Sequence, residues 1–181
     1  MNEKSKQAQR ELSKHTAMPE KTRPDSKLMG FIDKHYRSEK SRVKVLDFGA
    51  GHGRHTNALR GLGYTVYAYD PFNGEGNADP YTEISNKLPP KGEKFDLVFS
   101  AYVLNVMAKE DLLATVAEAE RYAKGGCVIH TVREDSDMKR KVEPGGSFKG
   151  KKGSVQRWVP VDELENLGYH RMESKFFVKD I

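Results

Sequence analysis

VLDFGAGHGRHT, residues 45–56, decides how this 181-residue chain is read. A short apolar run ends on Asp47, and Gly49, Gly51 and Gly53 follow at spacings of two. Glycine loses more conformational freedom on folding than any other residue, so glycines this dense mark a place where the backbone must turn or let a ligand approach. The stretch predicts a strand that breaks into a loop and leaves it as a helix. Two common nucleotide loops do not fit. A dinucleotide fingerprint needs its third glycine where Arg54 stands, and no Gly-Lys-Ser/Thr follows to make a P-loop.

Outward from this stretch the pattern alternates. Leu28, Phe31 and Ile32 have helical spacing, and RVKVLDFG, from Arg42, is the first strand. Thr56, Leu59 and Leu62 share a helical face that stops near Gly63. YTVYAYD is an alternating strand ending on Asp70 before Pro71, and a weak strand is expected over Tyr81 to Ile84. KFDLVFS reads as a strand covered on both faces, Ala108 to Lys124 as a helix closed by Gly125 and Gly126, and CVIHTV as the next strand. VQRWV, a short helix from Val161 to Leu167, and YHRMESKFFV close the chain. Strands alternating with helices predict an α/β fold, a Rossmann-like, mainly parallel, seven-stranded-type sheet with helices on both faces. Such sheets bind ligands at the carboxyl ends of their strands, where Asp47, the glycines and Asp70 all fall.

Composition sets the outer bounds. Hydrophobic residues make 36% and charged residues 31% of the chain, and no apolar run approaches the roughly 20 residues of a membrane span. No membrane partner is expected. The first residues lack a secretory apolar core and Cys127 is the single cysteine, so a cytoplasmic, reducing setting is expected. The formal charge is +5 and two stretches hold most of the excess: an arm over residues 1–27, read as separate from the domain at 28–181, and a loop with Lys139, Lys149, Lys151, Lys152 and Arg157. Such a loop could meet the phosphates of a nucleic acid by displacing counterions, or be a solvated surface.

The two acids narrow the ligand. Asp47 could meet a cationic amine, and an acid at the end of the second strand, about 20 residues on, can accept from both ribose hydroxyls. S-adenosylmethionine carries both groups and no phosphate. VLDFGAGHG, YAYDP, FDLVFSAYVLNVM and AKGGCVIHTV together resemble the Rossmann-like class I S-adenosylmethionine-dependent methyltransferases over Arg42 to Val132. The resemblance implies that Asp47, Gly49, Gly51 and Gly53 cradle the methionine moiety, that Asp70 takes the ribose, and that Pro71 and Phe72 neighbour the adenine. It sets Ser100 and Ala101, with Tyr102, beside the sulfonium and the acceptor. KHTAMPEKTRPDSKLM, YVLNVM, TVRED and KKGSVQRWV are also similar to small phage and bacterial methyltransferases, including those associated with DNA phosphorothioation. That similarity implies that the N-terminal arm, with His15, folds over the cofactor.

The acceptor is less legible, because in-line methyl transfer draws much of its rate from positioning and needs no enzyme nucleophile. Cys127 lies in an apolar run, unlike the exposed cysteine of cytosine C5 methylation, and Ser100-Ala101-Tyr102-Val103 lacks the prolines of amino-methylating enzymes. Tyr102, Asn105 and Arg133 are the expected catalytic residues at the strand ends. Asn105 could touch the acceptor or cap a helix, and His130 could be a base or a satisfied sheet histidine. No metal is expected. Methyl transfer to a nucleic acid or an anionic small molecule is the first reading. A cofactor-binding module without transfer and a cofactor-cleaving enzyme are the alternatives.

Overall fold

The computed structural model describes residues 21–107, 109–133, 146–149, 155–173 and 175–181. Helix α1 (Ser26–Tyr36) precedes β1 (Lys44–Phe48), α2 (Arg54–Gly61) and β2 (Thr65–Tyr69). β3 (Phe95–Ala101), α3 (Lys109–Tyr122) and β4 (Ala123–Thr131) follow. The chain ends with β5 (Ser147–Lys149), β6 (Val155–Arg157), α4 (Val161–Glu165), β7 (His170–Glu173) and β8 (Phe176–Asp180). Six strands form one sheet in the order β2-β1-β3-β4-β8-β7. β1 runs parallel to β2 and β3, β3 runs parallel to β4, and β8 and β7 are antiparallel additions.

Successive side chains on a strand point to opposite faces, and here both faces are covered. Val45, Leu97 and Ile129 join Leu28 and Ile32 of α1 and Leu59 of α2 in one buried cluster. Leu46, Val98 and Val128 join Leu112 and Val116 of α3 and Leu164 of α4 in the other. That double covering explains the near-continuous apolar character of β1, β3 and β4.

Among the described residues the sheet has six strands where a seven-stranded type was expected. Over Tyr81 to Ile84 the chain forms no strand, and only isolated parallel bridges join Ser85 to Tyr69 and Glu75. Gly74 presses so closely on the Ser85 backbone that a Cβ could not be accommodated. The Arg60 guanidinium donates to the carbonyls of Val66, Pro80, Thr82 and Glu83, taking the place of a strand ladder. VQRWV contributes β6 to a separate two-stranded sheet with β5. YHRMESKFFV is two strands, turning at Lys175 with φ of 68°. Gly125 and Gly126 lie inside β4 rather than ending α3, and Gly126 packs against the carbonyl of Asp96 on β3. Among the described residues no helix is long and apolar enough to cross a membrane.

Candidate active site

The glycine loop joins β1 to α2, with φ of 92°, 60° and 79° at Gly49, Gly51 and Gly53. All three lie in the left-handed region that a side chain disfavours. At Gly49 there is also no room, since a Cβ would meet the Val103 side chain. The amides of Gly49 and Ala50 donate to the Tyr69 carbonyl at 2.8 and 2.9 Å, which ties the loop to the end of β2.

Asp70 completes that tie. Its Oδ2 accepts from the Gly51 amide at 2.8 Å. Its Oδ1 accepts from the amides of Phe72 and Asn73 at 2.9 and 2.8 Å and from the Asn73 side chain at 3.1 Å. Three donors share Oδ1, whereas Oδ2 holds one and, as a carboxylate oxygen with two lone pairs, keeps room for a further donor such as a hydroxyl. Phe72 is half-buried next to it and Pro71 is exposed.

Asp47 faces inward. It is 1% exposed, and its Oδ2 accepts from the Thr56 hydroxyl at 2.6 Å. Burial, with the nearby charge of Asp70, pushes its pKa up to about 7 against the opposing pull of the Thr56 hydrogen bond and Arg60. Its side chain fastens the first turn of α2 to the end of β1.

A second wall rises from the end of β3. Tyr102 has φ of 64°, unusual for an aromatic residue, and is held there from several sides. Its amide donates to the Thr131 carbonyl at 2.8 Å, and its hydroxyl donates to Asp25 Oδ2 at 2.6 Å. Asp25 caps α1 through Oδ1, which accepts from the amides of Lys27 and Leu28 at 3.0 and 3.2 Å. The Asp25 amide donates to His55 Nε2 at 3.0 Å, and Arg54 donates to the Arg23 carbonyl at 3.3 Å. Residues 23–25 are thus pinned across the start of α2. Burial works to raise the Asp25 pKa, but the hydrogen bonds from Tyr102, Leu28 and Lys27 outweigh it and hold the group below its ordinary value. Burial, then the charge of Arg54, pulls His55 down to about 4, so the imidazole is neutral with Nε2 as the acceptor. Burial and the Asp25 hydrogen bond push the Tyr102 phenol up.

The remaining expected residues divide by where their side chains go. Ser100 is buried, with Oγ 2.7 Å from His130 Nδ1, while Ala101 is half-buried at the strand end. His130 is fully buried, bonded on its other side to the Tyr169 hydroxyl at 3.1 Å, and burial lowers its pKa to about 3. It is a neutral sheet histidine with both ring nitrogens hydrogen-bonded. Asn105, 1% exposed, spends its amide on backbone: Oδ1 accepts from the Arg133 amide at 2.9 Å, and Nδ2 donates to the carbonyls of Arg157 at 2.8 Å and Arg133 at 3.3 Å. It clasps the end of β4 to β6 and holds Arg133 in place. Cys127 is buried against the Tyr36 hydroxyl, and burial raises its pKa.

Arg157 was expected on a phosphate-binding surface. It is instead 6% exposed and ion-paired with Glu163, because β6 packs against the turn at Leu104–Val106. His15, Lys139, Lys151 and Lys152 lie outside the described residues, and Lys149 is described only by its backbone in β5. Sequence reading missed Asp25, Thr56 and Val103. Asp25 before Ser26 has the signature of a helix cap, but its bond to Tyr102, 77 residues away, leaves no local trace.

The parallel sheet, the glycine loop between β1 and α2, and the acid ending β2 make a Rossmann-like fold. The profile of the methyltransferase domain family matches residues 7–170, and the chain belongs to that family. No curated protein matches it. Among solved structures it is similar to the Burkholderia thailandensis 1,6-didemethyltoxoflavin-N1-methyltransferase with bound 1,6-didemethyltoxoflavin and S-adenosylhomocysteine. That match has TM-score 0.59 and 17% identity, covering 84% of this chain and 75% of that one. It is similar to DhpI in a complex with SAM and HEP, at TM-score 0.55 and 17% identity over 97% of this chain and 92% of that one. The glycopeptide N-methyltransferase MtfA matches at TM-score 0.53 and 14% identity over 84% and 87%. At these identities the likeness is one of fold.

Proposed function

We propose that this chain transfers a methyl group from S-adenosylmethionine to an anionic acceptor at the carboxyl edge of its sheet. The observation that carries the reading is the hydrogen bond from the Gly51 amide to Asp70 Oδ2, which joins the glycine turn to the acid of the next strand. The residues suit the cofactor. Asp70 keeps one acceptor position for a ribose hydroxyl, Phe72 offers a half-buried apolar face to an adenine, and the left-handed turn at Gly51 leaves the backbone open to a methionine tail. Asp47 acts through the loop it braces.

Bound S-adenosylmethionine supplies a methyl group on a sulfonium, and the acceptor's lone pair forms the new bond as the carbon–sulfur bond breaks. The protein's part is positioning. Tyr102, projecting from the end of β3, and Arg133, held by Asn105, stand where the acceptor would lie. Residues 23–25 lie pinned across the start of α2, directly after the glycine loop. The positive charge of the chain fits an anionic acceptor of either kind, nucleic acid or small molecule, and the similarity to phosphorothioation-associated methyltransferases belongs with the first.

The test incubates the chain with methyl-labelled S-adenosylmethionine and a cell lysate, then follows the label through DNA, RNA, protein and small-molecule fractions. Label in nucleic acid or in anionic small molecules, with S-adenosylhomocysteine released, is the expected result. Label remaining on intact cofactor, or appearing as a cofactor fragment, would overturn transfer in favour of binding or cleavage.

A further inference from the structure

Two guanidiniums meet at one ring. The Arg54 carbon Cζ lies 5.9 Å and the Arg133 Cζ 6.0 Å from the centre of the Tyr102 ring. Both side chains are half-buried, and among the described residues neither forms an ion pair. Among the described residues the hydrogen-bond partner of Arg54 is the Arg23 carbonyl, at 3.3 Å.

The local charge does not balance. Among the described residues Asp25 is the carboxylate at this ring, and it already accepts from the Tyr102 hydroxyl and two helix amides. His55 accepts from the Asp25 amide and is neutral. Among the described residues two cations therefore face one anion at the carboxyl edge of the sheet, an excess of positive charge in a half-buried setting. An incoming anion would relieve it.

The pair is also pre-set. Tyr102 is fixed by its bonds to Thr131 and Asp25, and the Arg133 backbone is gripped by Asn105 at both its amide and its carbonyl. Arg54 opens α2 directly after Gly53. Guanidiniums present a planar fork of donors that matches carboxylate and phosphoryl oxygens.

We propose that Arg54 and Arg133, flanking Tyr102, form the subsite for the carboxylate or phosphoryl group of a small-molecule acceptor. This rests on the methyltransferase reading and narrows it: the acceptor is a compact acid, held by two half-buried forks rather than by a mobile lysine loop. Arg133 is a substrate-contacting residue, and Asn105 is the positioning residue behind it.

The test uses the full chain with S-adenosylhomocysteine bound. Inorganic phosphate and acetate serve as probes for the two anion chemistries, and the arginine Nε–H signals are followed by NMR and assigned with R54Q and R133Q. Saturable shifts of both signals with at least one probe, absent with chloride at equal ionic strength, are expected. Each variant should weaken probe binding about tenfold while leaving S-adenosylhomocysteine affinity within about twofold.

Neither signal moving with either probe would overturn the subsite. A loss of about tenfold in S-adenosylhomocysteine affinity in R54Q or R133Q would assign that guanidinium to the cofactor and overturn the acceptor role. An oligonucleotide shifting the signals where phosphate and acetate do not would overturn the small-acid assignment. If the wild-type chain binds no S-adenosylhomocysteine, the methyltransferase reading fails on its own, and the same titration without it still decides the anion site.

Discussion

The Tyr102 hydroxyl donates to Asp25 Oδ2 across 2.6 Å, binding the end of β3 to the cap of α1. Tyr102→Phe keeps the ring beside the two arginines and removes only this bond, so the expected loss is about 1–2 kcal/mol of stability in urea denaturation. Asp25→Ala should cost about 1 kcal/mol more, because the helix cap is lost with it. Equal losses in the two variants would mean that the cap contributes nothing.

Asp70 holds four protein donors and keeps one acceptor position. Asp70→Ala should weaken S-adenosylmethionine binding by about 1–3 kcal/mol, the usual cost of removing a partner from buried polar groups. Calorimetry on a variant shown by circular dichroism to be folded measures it. Unchanged affinity would remove Asp70 from the cofactor site.

Gly49 combines φ of 92° with the Val103 side chain lying where its Cβ would go. Gly49→Ala should destabilise the fold by about 2 kcal/mol or more through clash and strain together. Adding Val103→Ala should recover only the clash, so the two substitutions are coupled in a double-mutant cycle of thermal unfolding. Simple additivity would show that the contact does not limit the loop.

Two kinds of buried group give opposite pH dependences. Asp47 titrates near 7 in the fold against an ordinary 3.8, so the folded state keeps a proton that the unfolded chain releases. Its contribution therefore falls as pH rises from about 4 to about 7. His130 and His55 titrate near 3 and 4 against 6.5, so the unfolded chain takes up protons first and stability falls as pH drops below about 6.5. Asp47→Asn removes the first effect and leaves the second. Urea denaturation at pH 4.5, 6 and 7.5 should show the variant gaining on the wild type as pH rises, and a constant difference would refute the raised Asp47 pKa.

The strand ends and the glycine turn that frame the candidate site were legible because they are local. Asp47, the three glycines and Asp70 sit at strand ends that hydrophobic periodicity alone locates, and backbone geometry at those ends follows from glycine chemistry. Side-chain direction was not legible. Ser100 and Asn105 fall at the expected edge, yet one turns into the sheet toward His130 and the other grips the backbone of Arg133 and Arg157. Arg157 looks like a surface cation within its basic stretch, and only the Glu163 carboxylate six residues on makes its burial tolerable.

The sequence by itself determined the α/β alternation, the strand that ends in the glycine turn, and the two acids that close β1 and β2, since these depend on periodicity and local backbone freedom. Tertiary structure alone decided that the edge strand is replaced by a loop held by Arg60, that Asp47 accepts from the Thr56 hydroxyl, and that Asp25 meets Tyr102 beside Arg54 and Arg133. Those outcomes depend on which buried polar groups find partners once distant segments pack, and such partners are set by geometry that no local pattern records.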